Sequence, residues 1–147
     1  MDKPLPDKWV RKAVSDLIDG AVVDTFTIPC YDQRVTTGLN SDIPNYYTIM
    51  STQTNEVDNS NKCGYNWQSS ILIDVFTSYD LPGNPGTRLL ADNILDSVKD
   101  KLQNVSLEPS SGLVINRQKM QFPADIVTTS KRQNVFRKFI RLELYIV

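Results

Sequence analysis

The sequence predicts an α+β fold: a mostly antiparallel β-sheet with two helices packed on it. Three observations predict it. Two segments carry apolar residues at helical spacing, a long strand–polar turn–strand block lies between them, and the chain closes on a strand of clean period two. The 147 residues suit one domain spanning 1–147.

The first helix is expected over residues 6–18, where Trp9, Val10, Ala13, Val14, Leu17 and Ile18 recur at helical spacing. Pro6 fits the first turn, Asp7 complements the helix dipole, and Asp19-Gly20 reads as the stop. Residues 21–30 are rich in β-branched side chains and read as one strand ended by Pro29. Residues 31–45 read as a long polar loop. Tyr46–Thr54 reads as the next strand, Asn55–Lys62 as turn chemistry and Gly64–Thr77 as the returning strand, giving an antiparallel hairpin over 46–77. In the returning strand Trp67, Ser69, Ile71, Ile73 and Val75 share one face, with Leu72, Asp74 and Phe76 on the other.

A second helix is expected over 87–102, on the stripe Ala91, Ile94, Leu95, Val98 and Leu102. Asn84 and Thr87 are rival N-caps. Strands follow at 113–120 and 136–147, separated by the breaker Phe122-Pro123-Ala124-Asp125. In the last strand Phe136, Ile140, Leu142, Leu144 and Ile146 face one way. Arg137, Phe139, Arg141, Glu143 and Tyr145 face the other.

Composition excludes several classes. The longest strictly apolar runs are three residues, far short of the about 20 a membrane helix needs. The first residues lead into no apolar segment of a secretory signal, so a cytoplasm, or a particle assembled there, is the expected compartment. Histidine is absent, which removes His-based acid–base catalysis, Ser-His and Cys-His pairs and the commonest metal ligand. Cys30 and Cys63 make no zinc site without further ligands and read as buried or half-buried thiols, a disulfide being the minority alternative.

No catalytic, cofactor or metal signature emerges. Gly83-Asn84-Pro85-Gly86-Thr87 precedes a helix but lacks the phosphate-loop lysine. Glu56, Asp74 and Asp80 are the acids a metal-dependent nuclease would use. Asp74, set in an apolar strand, reads more simply as an outward-facing or edge residue.

Charge is segregated. Residues 1–109 carry 9 basic and 15 acidic residues, whereas 110–147 carry 7 basic and 2 acidic. The basic set is Arg117, Lys119, Lys131, Arg132, Arg137, Lys138 and Arg141. Three readings stand: a nucleic-acid contact strip, self-assembly of a basic end on an acidic part of the next copy, or a solvated sheet face. The polar segments Tyr31–Asn45, Glu56–Lys62 and Ala124–Asn134 read either as arms reaching neighbours or as loops without a partner.

The element order, the Ile28-Pro29 step with Tyr46-Tyr47-Thr48-Ile49, and the block Trp67-Gln68-Ser69-Ser70-Ile71-Leu72-Ile73-Asp74-Val75-Phe76-Thr77 with its Gly-containing link and helix resemble one known family. So does the amphipathic Arg137-Lys138-Phe139-Ile140-Arg141-Leu142-Glu143-Leu144. The resemblance is to the tail terminator and tail-completion (head–tail connector) proteins of tailed bacteriophages, over most of the chain. It implies a non-enzymatic virion subunit with no cofactor, closing into a ring of six or twelve copies at the neck. Its neighbours would be portal, neck or tail-tube proteins, with DNA passing through the lumen and no membrane involved. The outward residues Arg137, Arg141 and Glu143 are the candidate intersubunit or lumen contacts. The alternatives are a nucleic-acid-binding module using the basic C-terminal strip and a metal-dependent nuclease.

Overall fold

A computed structural model describes residues 4–32, 45–58, 66–79, 87–129 and 134–147. In chain order its elements are α1 (Asp7–Ile18), β1 (Ala21–Val23), β2 (Phe26–Ile28), β3 (Cys30–Tyr31), β4 (Tyr46–Asp58) and β5 (Asn66–Tyr79). Then come α2 (Arg88–Lys101), a 3₁₀ turn at Pro109–Ser111, β6 (Ile115–Gln121), β7 (Ile126–Thr129) and β8 (Asn134–Ile146). The fold is α+β, as the sequence predicts.

In α1, Val10, Val14 and Ile18 fall four residues apart and are buried as one stripe. Gly20 takes φ +75° and its N–H donates to the Ile28 carbonyl at 2.9 Å, so α1 turns directly into β1. Residues 21–30 correct the expectation of a single strand. β1 and β2 form a tight antiparallel hairpin about Asp24 and Thr25, with φ +49° and +74°. Two consecutive positive φ values are the turn geometry that suits the twist of a hairpin. Composition reports extended backbone here; it does not report the reversal.

The main sheet has strand order β3-β4-β5-β8-β6, with β7 also paired to β8. All pairs are antiparallel except β3 with β4, which meet only at Cys30↔Thr48 and Tyr31↔Ile49. β5 and β8 pair along their length, from Trp67↔Ile146 to Tyr79↔Asn134. On its far side β8 pairs with β7 near its start and with β6 near its end.

Two further expectations need correction, and one choice is resolved. β4 runs to Asp58 instead of ending at Thr54, because Asn55 is satisfied within the sheet: its side chain donates to Asp7 of α1 and accepts from Ser69 of β5. The segment Ala124–Asn134 contains β7, held against β8 from Ile126↔Arg137 to Thr129↔Asn134. Thr87 is the N-cap of α2, its hydroxyl accepting from the Leu90 N–H at 3.2 Å. Its rival Asn84, together with Cys63, Asp80, Lys131 and Arg132, lies outside the described residues.

Alternation along the strands divides the sheet into two faces. The inner face presents Met50, Ile71, Ile73, Val75, Ile140, Leu142, Leu144 and Ile146, all buried, to Val10, Val14 and Ile18 of α1 and to Leu90, Ile94 and Val98 of α2. Gln118 of β6 also points inward. It closes the end of α2 by donating to the carbonyls of Leu102 and Gln103 and accepting from the Val105 N–H. Trp9 of α1 and Trp67 of β5 pack partly buried against this core, and among the described residues neither buried indole N–H has a hydrogen-bond partner.

Two variants test this account by urea denaturation. Leu142→Asp places a charge in the fully buried row of β8 and is expected to abolish the cooperative transition. Thr25→Gly relieves a left-handed β-branched residue and is expected to stabilise the protein by about 1 kcal/mol.

Candidate functional site

Neither helix covers the other face of the sheet, and its two halves differ in chemistry. Toward the β3 end it is aromatic. Tyr31 meets Tyr47 edge-on at 5.6 Å between ring centroids, and Tyr47 stacks on Phe76 at 4.5 Å. Within this group stands Asp74, flanked across the strands by Ile49 and Phe139. Arg137 reaches it from β8. Its Nε donates to Asp74 Oδ2 at 3.1 Å, and its Nη2 donates to the same oxygen. The guanidinium also lies over the Phe139 ring at 5.5 Å. The bond to Asp74 holds the Arg137 guanidinium above its ordinary value.

Asp74 therefore faces outward, as expected, but it is no edge residue. It sits in an interior strand and is 3% exposed. A buried carboxylate needs a partner, and Arg137 is that partner. Their proximity depends on the Phe76↔Arg137 register of β5 and β8, a pairing that the sequence does not print.

Among the described residues, geometry also divides the basic strip. Lys138 lies on the inner face, 8% exposed, with Nζ 2.7 Å from Asp92 of α2 and 2.6 Å from Asp125 on the β6–β7 link. Burial pulls its ammonium down, the bonds to Asp125 and Asp92 push it up, and the net shift is upward. Asp125 also lies 3.8 Å from Arg88. Lys138 thus clamps α2 and the link onto β8. Neighbours in sequence, Arg137 and Lys138 serve opposite faces of the sheet, and each is already bound to carboxylate.

The half of the outer face toward β6 is polar. Pairing sets Glu56, Gln68, Tyr145 and Arg117 in one row across β4, β5, β8 and β6, and Thr54, Ser70, Glu143 and Lys119 in the next. Arg141 follows, opposite Leu72 and Gln121. Glu56, Arg117, Lys119 and Arg141 are exposed and Glu143 half-buried. Among the described residues none of these five makes an ion pair. Arg117 rests over the Tyr145 ring at 5.4 Å. Of the three candidate contact residues, Arg141 and Glu143 thus stand in this polar half. Arg137 stands in the aromatic half, committed to Asp74.

The acids of the nuclease alternative do not converge. Glu56 lies opposite Gln68, six residues along β5 from Asp74, a separation of about 20 Å at strand rise. Asp80 is outside the described residues, among which no group of three or more His, Cys, Asp or Glu is placed to hold a metal ion. Among the described residues Cys30 is a half-buried free thiol, pushed up by burial. A cleft between α1 and β4 is lined by Lys8, Arg11, Lys12, Ser15, Asp32 and Met50. Two of its cations face acids: Lys12 binds Glu108 at 2.8 Å and Arg11 lies 3.9 Å from Asp32. No described helix is long and apolar enough to cross a membrane.

The Asp74–Arg137 pair predicts a thermodynamic cycle. Arg137→Leu leaves a buried carboxylate without its partner and is expected to cost about 2 kcal/mol. That is less than a fully buried pair would cost, because the arginine side chain is 43% exposed. Adding Asp74→Leu is expected to recover most of the loss, as read from urea midpoints.

No family model matches the chain, and no curated protein matches it. Among solved structures, the chain is similar to a chain in a structure titled virion of native gene transfer agent (GTA) particle. The two share 15% identity with a TM-score of 0.48, over 94% of this chain and 92% of that one.

Proposed function

We propose that the chain is a non-enzymatic structural subunit of a phage-like virion. It closes into a ring at the neck or tail as a tail terminator or head-to-tail connector, with DNA passing through the lumen. The observation that carries this reading is the polar half of the outer sheet face. Five charged side chains of both signs stand there on rigid strands, exposed or half-exposed and without ion-pair partners among the described residues. Charges held in fixed rows suit a repeated, oriented contact better than a soft binding loop. Arg141 and Glu143 belong to that surface, as contacts between subunits or toward the lumen. The sequence resemblance to tail terminators supports the same reading. Its ring would sit at the head–tail junction, against portal, neck or tail-tube proteins.

A nucleic-acid-binding module fits less well. Such a module gathers cations on one face. Among the described residues Lys138 is inside, Arg137 is neutralised, and Glu143 sits among the three other cations of the strip.

Native mass spectrometry over a concentration series, at low and moderate salt, tests the proposal. A discrete closed ring of six or twelve copies is the expected result. A strict monomer at every concentration, with DNA affinity falling steeply in salt, would overturn it in favour of the nucleic-acid reading.

A further inference from the structure

The two margins of the main sheet carry opposite charge at the same level. Along β4 the pairing slips between Met50 and Gln53, and along β6 it slips between Ile115 and Arg117. Regular strand therefore runs from Gln53 on one margin and over Arg117–Gln121 on the other, segments of similar length. Register links Glu56 to Arg117 through Gln68 and Tyr145. Both are exposed on the outer face, three strand spacings apart, about 14 Å. Among the described residues, β3 covers β4 only at Thr48 and Ile49, and no strand lies beyond β6.

Strand direction adds a geometric condition. From β4 through β5 and β8 to β6, every neighbour is antiparallel. Four strands is an even number, so β6 runs opposite to β4. A second copy set beside β6 in the same orientation therefore offers its β4 as an antiparallel partner, with the inner faces on the same side.

We infer that the β6 margin of one copy pairs with the β4 margin of a second copy, Arg117 facing Glu56 across the seam. The occupant is a second copy because length, strand direction and charge all match within this one chain. The cation–π contact with Tyr145 restrains the Arg117 guanidinium before the partner arrives. Two different patches meet, so the contact is head-to-tail, the kind from which a rotation between copies builds a ring. This inference rests on the ring reading above and supplies its interface.

The experiment is a charge swap read by native mass spectrometry and sedimentation, with circular dichroism showing that each variant folds. Glu56→Arg alone and Arg117→Glu alone each place like charges on both margins. Each is expected to raise the concentration for half-assembly at least ~10-fold. An equimolar mixture of the two variants is expected to restore wild-type assembly, because every seam in an alternating ring then joins opposite charges. If wild type assembles and the single variants assemble equally well, or the mixture stays dissociated, this seam is wrong and the ring reading stands. A wild-type chain that never assembles overturns both.

Discussion

The register between β5 and β8 is the constraint on which the rest of the molecule depends. It aligns Ile71, Ile73 and Val75 with Leu142, Ile140 and Lys138 on the inner face. The same alignment brings Asp74 and Phe76 beside Phe139 and Arg137 on the outer one. A one-residue slip of β8 against β5 would turn the β8 side chains to the opposite face. It would expose Ile140 and Leu142, drive Arg137 inward and strand Asp74 without a cation. Register is held here by two different kinds of interaction at once: apolar burial under the helices and a charge pair on the other side.

That double use explains where the sequence is legible. Helical stripes are readable because their apolar residues recur at fixed spacing, and α1 and α2 follow from Val10, Val14, Ile18 and from Ala91, Ile94, Val98. The row Ile140, Leu142, Leu144, Ile146 is readable for the same reason at period two. What depends on a partner far along the chain is not readable. Asn55 reads as turn chemistry until Asp7 and Ser69 are placed beside it. The hairpin at Asp24–Thr25 lacks the glycine that normally marks such a turn.

The candidate surface shows the same limit more sharply. Seven cations in the last 38 residues look like one strip in the sequence. Of the five that lie among the described residues, Lys138 is assigned to the helix side and Arg137 to a buried acid, and Arg117, Lys119 and Arg141 are interleaved with Glu143. The oddity that sequence does expose is Asp74, an acid within an apolar strand. Its meaning follows only once an arginine on a neighbouring strand shares its face. Charge density along a chain is therefore a poor guide to charge density in space when alternate residues point in opposite directions.

The placement of the two tryptophans has an optical consequence. Trp9 lies in the first turns of α1, and Trp67 lies at the end of β5 where Asp7 and Asn55 join that helix to the sheet. Both are partly buried against the core, with indole N–H groups shielded from solvent. The protein's intrinsic fluorescence therefore reports on one end of the molecule, where detaching α1 would admit water to both indoles and shift emission to the red. Events confined to β7 and the β6–β7 link would pass without a comparable signal. A fluorescence melt of this protein follows the docking of its first helix.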